Sequence, residues 1–184
     1  MANGTLKVSN IETSSGSGTI TVGASGETVD LSNGTITLNN SMKMTPAFQA
    51  YSSDGQTPSD ASWTKVELDA VLFDTDSAFN NTASNYKFTV PSGEAGNYQI
   101  NFGIRNSNFT TARIDVKLYK NGSEAVNTEN ASGGNYDTAY GGAILNLSVG
   151  DYLQMYVYQG SGSSQNIFSA RNSCFMSGYK LIGV

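Results

Sequence analysis

The stretch that decides the fold is Tyr140-Gly-Gly-Ala-Ile-Leu-Asn-Leu-Ser-Val-Gly-Asp-Tyr-Leu-Gln-Met-Tyr-Val-Tyr158. After the Gly150-Asp151 turn, apolar residues at positions 153, 155 and 157 alternate with tyrosines at 152, 156 and 158. This period of two residues predicts a β-strand with two different faces. The first face fits a protein core, whereas a row of tyrosines has a large apolar area that is costly to leave bare. We therefore expect the tyrosine face to meet another copy of the chain.

The composition is that of an all-β protein with many turns. The chain has 184 residues, of which 38% are hydrophobic and only 14% are charged, and it contains 20 glycines. A net charge of −5 without a basic cluster argues against nucleic acid as a partner. No segment approaches the roughly 20 apolar residues that a membrane helix needs. Residues 1–10 lack the apolar core of a secretory signal, so we expect neither a membrane partner nor export by that route.

Cysteine and histidine limit the chemistry that the chain can perform. Cys174 is the only cysteine, which excludes an intrachain disulfide and a four-cysteine zinc site. It lies in an apolar segment, where a free cysteine is most often a small buried hydrophobe. The chain has no histidine, so the commonest general base and the serine–histidine and cysteine–histidine pairs are missing. We expect no enzymatic activity and no cofactor.

Residues 1–44 differ from the rest of the chain. Residues 1–40 contain no aromatic side chain, and Gly18-Thr-Ile-Thr-Val22 returns as Gly34-Thr-Ile-Thr-Leu38. Such short β-units cannot bury an apolar face alone and need stacking along the chain or between chains. Two interpretations stay open, a flexible polar leader and an extended docking arm or stem. In the second, the apolar residues that would dock are Leu6, Val8, Ile11, Ile20 and Val22.

Residues 45–184 read as a separate head of about eight to ten short strands, without an amphipathic helix. Ala47–Tyr51 is the first predicted strand, and the alternation from Trp63 to Phe73 predicts another. Asn121-Gly122 predicts a tight hairpin turn, because both central residues of that turn take positive φ. Residues 74–85 and 127–137 are rich in polar residues and predict loops. Regular strands with turn signals favour an antiparallel sandwich or jelly roll.

The head resembles the jelly-roll domain shared by complement component 1q and tumour necrosis factor. The resemblance rests on Tyr86-Lys-Phe-Thr-Val-Pro91 with Gly96-Asn-Tyr-Gln-Ile-Asn-Phe102, on Tyr140-Gly-Gly with Leu147-x-x-Gly-Asp-x-Leu153, and on Phe175-Met-Ser-Gly-Tyr-Lys-Leu-Ile182. It implies a trimer in which the first strand, the last strand and the strand after Gly150-Asp151 meet around the axis. The expected interface residues are Phe48, Tyr51, Tyr140, Tyr152, Tyr156, Tyr158 and Tyr179.

The leader, Leu6-Lys-Val-Ser-Asn-Ile11 followed by Gly18-Thr-Ile-Thr-Val22, is similar to that of small virion proteins of tailed bacteriophages. This resemblance implies a docking arm that attaches the head to a major capsid protein or another virion protein. It places the protein on the virion surface, after synthesis in the bacterial cytoplasm.

Two groups of residues are candidates for ligand chemistry. Asp74-Thr-Asp76 offers oxygen ligands at i and i+2, which suit Ca²⁺, but lacks the rest of a calcium loop, so solvated carboxylates are the simpler interpretation. Phe109 and Tyr136 lie in polar loops and would contact a host surface glycan if the head binds one, although plain turn chemistry explains these loops equally well.

We therefore expect a non-enzymatic phage structural protein, with a homotrimeric jelly-roll head and an N-terminal docking arm. Capsid decoration or a head fibre is the first interpretation. A tail-fibre tip that adheres to host glycans is the alternative within the class, and a secreted complement-like recognition domain is the alternative outside it.

Overall fold

The computed structural model describes residues 11, 25–26, 28, 42–107, 113–131 and 136–182. The chain divides into two compact units, Met1–Thr37 and Leu38–Val184. Most of the first unit, including the predicted docking residues Leu6, Val8, Ile20 and Val22, lies outside the described residues. Ile11 is described and is exposed. The docking role and the boundary after residue 44 stay predictions.

Eleven strands are present in the described part of the second unit. Their bounds are β1 Ala47–Tyr51, β2 Thr64–Lys65, β3 Ala70–Asp74, β4 Phe79–Asn80, β5 Lys87–Thr89, β6 Gly96–Arg105, β7 Arg113–Lys120, β8 Ser123–Ala131, β9 Thr138–Leu147, β10 Tyr152–Gln159 and β11 Phe175–Lys180. Among the described residues, no helix is long and apolar enough to cross a membrane.

The strands form two antiparallel sheets that pack face to face. The five-stranded sheet has the order β3-β1-β11-β6-β9, and the six-stranded sheet has the order β4-β5-β10-β7-β8 with β2 added beside β10. The chain crosses between the sheets at every connection except β4–β5 and β7–β8. This confirms the predicted antiparallel jelly-roll sandwich.

The core is the single apolar layer between the two sheets, as period-two alternation requires. On β10, Leu153, Met155 and Val157 are buried, while the tyrosines of the same strand point outward. Phe48, which we expected at an interface between copies, is fully buried in this layer, and its ring stacks on Phe88 with centroids 4.4 Å apart. That expectation was wrong because β1 also alternates and turns Phe48 inward.

The predicted strand from Trp63 to Phe73 is divided into two. β2 pairs with β10 in one sheet and β3 pairs with β1 in the other, so the chain changes sheets between Lys65 and Ala70. Val66 and Leu68 are nonetheless fully buried, because the crossing segment keeps its alternation through the core. The alternation correctly predicted that Val66 and Leu68 are buried. It could not show where pairing with one sheet ends and pairing with the other begins.

Two predicted loops contain strand. β8 extends to Ala131 because its polar residues pair with β7 in register, Thr128 opposite Val116 and Glu129 opposite Asp115. The segment 74–85 contains the two-residue strand β4, which is an edge strand that pairs only with β5 among the described strands. Polar composition marked both segments as loops, although an outer or edge strand faces water and tolerates polar residues.

Two hairpin turns are joined by a cluster of polar contacts. Asn121 and Gly122 form the predicted two-residue turn between β7 and β8, with φ of 53° and 80°. The Asn121 side chain donates to Asp151 Oδ1 at 2.6 Å and accepts from the backbone nitrogen of Tyr152 at 2.9 Å. Lys120 Nζ lies 2.9 Å from Asp151 Oδ2. These contacts lower the pKa of Asp151 to about 2, with the Lys120 hydrogen bond as the largest cause.

We expect the stability of the Asp151→Asn variant to fall less than that of the wild type as the pH is lowered from 4 to 2. The carboxyl has its ordinary pKa near 3.8 when unfolded and about 2 when folded, so folding favours its charged form. That stabilisation is complete above about pH 4 and is lost as the pH falls toward 2. Thermal unfolding followed by circular dichroism between pH 2 and 6 measures it, with Asp76→Asn as the single-carboxylate control. Parallel curves for the wild type and Asp151→Asn would contradict the assignment.

Candidate functional site

The outer side of the five-stranded sheet carries an aromatic surface that is uncharged except at one end, where Arg105 follows Gly103 on the same side of β6. Inter-strand register places Tyr51 opposite Phe175, Phe175 opposite Gly103, and Gly103 opposite Tyr140, which forms one row across the sheet. A second row contains Tyr179 and a third contains Phe73. We call this surface the aromatic face, and its residues are Ala47, Gln49, Tyr51, Phe73, Gln99, Asn101, Gly103, Tyr140, Gly142, Ile144, Phe175, Ser177 and Tyr179.

Large apolar side chains of this face are open to solvent in a single copy. Tyr140 is 49% exposed, Ile144 is 61% exposed and Phe73 is 46% exposed. The polar members are neutral and bond locally: Gln99 Nε2 donates to Asn101 Oδ1 at 3.1 Å. A surface with exposed aromatic rings and no charge is typical of the core of a protein–protein interface, where charged residues are depleted.

Two glycines in the β6–β9 pair shape the aromatic face. Tyr140 lies over Gly103, and a Cβ atom there would be 1.8 Å from the Tyr140 ring. In the neighbouring pair, Phe102 and Gly141, the glycine is on β9 and the ring is on β6, and both face the inside of the sandwich. A Cβ atom on Gly141 would be 2.5 Å from the Phe102 ring. Without those Cβ atoms both rings lie flat across the partner strand, and the Tyr140 ring comes within 6.1 Å of Phe175. Gly103 therefore lets Tyr140 lie low on the aromatic face beside Phe175, and Gly141 makes room for Phe102 in the core.

The predicted interface tyrosines do not form one surface. Tyr51, Tyr140 and Tyr179 lie on the aromatic face, but the three tyrosines of β10 point outward from the six-stranded sheet, on the opposite side of the sandwich. The expectation of a single tyrosine face was wrong, because β10 and β11 belong to different sheets. Sequence reasoning also missed Phe73, Ile144 and Phe175, although alternation along β9 and β11 would have placed the last two.

The β10 tyrosines are covered by side chains of their own chain. Tyr156 packs on Tyr119 with ring centroids 4.4 Å apart, and burial raises the pKa of Tyr156. Tyr158 packs against Trp63 at 5.5 Å, and Lys87 Nζ lies 4.9 Å from the centroid of Tyr152. This row does not need a second copy to cover its apolar area.

The six-stranded sheet also differs from the aromatic face in charge. Arg113 Nε donates to Asp115 Oδ2 at 2.5 Å, and that bond raises the pKa of Arg113. Lys117 Nζ contacts Glu124 and lies 4.3 Å from the Trp63 ring centroid. The partly exposed Lys117–Glu124 pair contributes little to stability, but charged residues are depleted at the core of protein–protein interfaces. The contrast singles out the aromatic face as the better candidate for contact between copies.

The remaining candidate residues have defined positions or lie outside the described part of the chain. Asp74 Oδ2 accepts from the backbone nitrogen of Phe79 at 2.7 Å, and Thr75 Oγ1 donates to Asp76 at 2.5 Å, so both carboxylates bond within their own turn. No cluster of three acidic, histidine or cysteine side chains occurs among the described residues. Cys174 is fully buried, which raises its pKa to about 12. Phe109 is not among the described residues.

A model of the C1q domain matches residues 47–181, which is most of the chain. The chain belongs to the C1q domain family. The predicted resemblance of the head is thereby confirmed. C1q domains are non-catalytic binding modules that typically form homotrimers. No curated protein matches the chain.

Solved structures agree with this assignment. The globular domain of zebrafish complement 1qA has a TM-score of 0.56 and 16% identity, covering 74% of this chain and 97% of that chain. Murine APRIL has a TM-score of 0.55 and 13% identity, covering 73% and 98%. Eiger TNF from S. frugiperda has a TM-score of 0.56 and 14% identity, covering 75% and 93%. At these identities the structures show that the C1q fold is shared with tumour necrosis factor-like proteins.

We expect Gly103→Ala to destabilise the head, because its methyl group and the Tyr140 ring would occupy the same space. Unfolding in guanidinium chloride should show a loss of about 1–3 kcal/mol, typical of an added methyl in a packed site. Tyr140→Ala removes the ring, so the double variant should lose less than Gly103→Ala alone. If the losses of unfolding free energy in the two single variants simply add in the double variant, the contact between position 103 and the Tyr140 ring would be contradicted.

Proposed function

We propose that this chain forms a homotrimer through the aromatic face and serves as a structural protein on the surface of a tailed-phage virion. Capsid decoration or a head fibre is the role we favour. The observation that carries the assembly is the uncharged aromatic face, since an exposed apolar patch of this kind marks an association site.

The distribution of apolar residues over the five-stranded sheet favours a ring. One edge strand, β3, exposes Leu72 and Phe73, and the other edge strand, β9, exposes Tyr140 and Ile144. Different residues at the two edges suit a contact between unlike surfaces, with the β9 edge of one copy against the β1–β3 side of the next. Such heterologous contacts close into rings when the rotation permits. A ring of three copies agrees with the homotrimers that C1q domains typically form.

The virion role rests on the sequence of residues 1–44. That segment has two matching short β-units, and Met1–Thr37 is a compact unit by itself. A small docking unit followed by an adhesive head suits a protein that is fixed to a particle at one end. The partner of the leader would be the major capsid protein or another virion protein.

We expect Ile144→Asp to break the trimer into monomers. The substitution places three carboxylates in the aromatic face, where each would lose its water without gaining a partner, at a cost of several kcal/mol per charge. Light scattering coupled to size exclusion at micromolar concentration measures the assembly, and the wild type should have three times the mass of one chain. Val149→Asp is the matched control, because Val149 is a similarly exposed aliphatic residue in the turn after β9 and lies outside the face.

Two results would contradict this assembly. A wild-type monomer at micromolar concentration would remove the basis of the proposal. A trimer that survives Ile144→Asp but dissociates with Val149→Asp would place the contact at another surface.

We expect deletion of residues 1–40 to leave a folded, trimeric head that no longer joins particles. All the described strands lie after residue 46, so the head keeps its core. Incorporation into virions can be measured by complementing a phage that lacks the gene, and imaging of labelled full-length protein locates it. Normal incorporation of the shortened chain would disprove the docking role. Label at the tail tip would favour the tail-fibre alternative over capsid decoration.

A further inference from the structure

A polar cleft lies where four segments of the chain meet at one end of the sandwich. Its volume is about 680 Å³, within the range of roughly 300–1,000 Å³ that is usual for small-molecule sites. None of the residues that line it belongs to the aromatic face. They come from the loop after β1, the segment between β2 and β3, the end of β6 and the loop before β11: Asp54, Gly55, Gln56, Thr57, Glu67, Ser107, Asn166, Ile167, Phe168 and Ser169.

Hydrogen bonds between the loops hold the walls of the cleft in place. The Ile167 nitrogen donates to Gln56 O at 2.9 Å, and Gln56 Nε2 donates to Lys65 O at 2.8 Å. On the other side, Thr57 Oγ1 donates to Asn166 Oδ1 at 2.5 Å, and Ser107 Oγ donates to Asn166 O at 2.8 Å. A site whose loops are already tied together loses little conformational entropy when a ligand binds.

Several polar groups in the cleft are not used by the fold. The carboxylates of Asp54 and Glu67 make no hydrogen bond or ion pair with another described residue, and both residues are exposed. Asn106 adjoins the cleft, between Arg105 and Ser107, and forms a bridge with Ile167. Its side chain is fully buried, and neither amide atom has a hydrogen-bond partner among the described residues. Asn106 is not one of the residues that line the cleft, so the acceptors open to a ligand are the carboxylates of Asp54 and Glu67.

An aromatic ring forms part of the cleft wall. Phe168 is 36% exposed, and the Arg105 guanidinium lies 5.1 Å from its ring centroid and 4.8 Å from that of Tyr136. The cation–π contacts fix the Phe168 ring at the rim of the cleft. Tyr136, expected from the sequence as a ligand contact, packs on the same guanidinium but does not line the cleft.

The lining selects the chemistry of the ligand. It offers two anionic acceptors, the Asn166 amide, hydroxyl groups and one aromatic ring, and it contains no lysine or arginine. An anionic ligand would be repelled by Asp54 and Glu67. A bare divalent ion such as Ca²⁺ takes six to eight oxygen ligands, and no group of three acidic side chains occurs among the described residues. A ligand with several hydroxyl donors and an apolar C–H face fits all of these features.

We propose that this cleft binds an uncharged saccharide of one or two sugar rings. The carboxylates of Asp54 and Glu67 accept hydrogen bonds from its hydroxyl groups. The Asn166 amide donates to a sugar oxygen, and Phe168 packs on the C–H face of the ring. This site goes beyond the proposed assembly, because it lies within one chain and does not use the aromatic face.

The test uses the full-length protein on an array of immobilised uncharged and sialylated oligosaccharides, followed by calorimetric titration with the best uncharged one. We expect binding to an uncharged glycan, and a loss of affinity of at least about tenfold for Glu67→Gln and for Asp54→Asn, since each change removes a charge-assisted hydrogen bond. Phe168→Ala should weaken binding similarly. Glu129→Gln is the matched control, because it removes one carboxylate from the six-stranded sheet, and it should bind as the wild type does. Raising NaCl from 50 to 500 mM should change the affinity less than twofold, because the ligand is uncharged.

Binding to no uncharged glycan, or a preference for sialylated glycans, would overturn the proposal. Unchanged affinity in Glu67→Gln and Asp54→Asn would do the same. A thermal shift with CaCl₂ alone that disappears in both variants would show an ion site instead. Light scattering on the same samples separates this proposal from the assembly: a trimer that binds no saccharide refutes only the site, and a monomer that binds refutes only the assembly.

Discussion

The structure depends on one constraint: two sheets share a single apolar layer, so each strand can bury only one of its sides. Leu153, Met155 and Val157 of β10 satisfy that constraint from the six-stranded sheet, and Phe48 satisfies it from the other. The second side of every strand is then left to the solvent or to a partner. The two sheets differ in how the aromatic side chains of their outer faces are covered. The six-stranded sheet covers its tyrosines with Trp63, Tyr119 and Lys87, whereas the five-stranded sheet leaves Phe73, Tyr140 and Tyr179 exposed.

The bare face owes its shape to the glycines of the β6–β9 pair. An aromatic ring that stood upright on the sheet would hold a neighbouring copy at a distance and leave gaps around it. Because Gly103 has no Cβ atom, the Tyr140 ring lies flat across the strand toward Phe175. A low row without charge can pack against a second surface over its whole length. An uncharged aromatic surface of this kind is typical of the core of a protein–protein interface.

The ends of the sandwich serve a different purpose from its faces. At one end, Asn121 and Asp151 join two hairpin turns and stabilise the head. At the cleft, hydrogen bonds from Thr57 and Ser107 fix Asn166 but leave Asp54 and Glu67 unused. Carboxylates that bond to none of the described residues are available for binding. A trimer of such heads would present three copies of the cleft, which raises the effective affinity for a surface that carries many copies of one saccharide.

The sequence by itself determined the existence of the long strands, the buried side of β6, β7 and β10 and the Asn121-Gly122 turn, because alternation and turn chemistry are local. The C1q-type head was indicated by the resemblance of its motifs to that family. Only the tertiary structure decided which outer side chains share a face. The family resemblance placed the tyrosines of β10 with Tyr179 at one interface, but β10 and β11 lie in opposite sheets, and the register between β6 and β9 brought Tyr140 to Phe175 instead. The cleft was hidden for the same reason, since Asp54, Glu67 and Asn166 are distant in the chain and meet only where loops from both sheets come together.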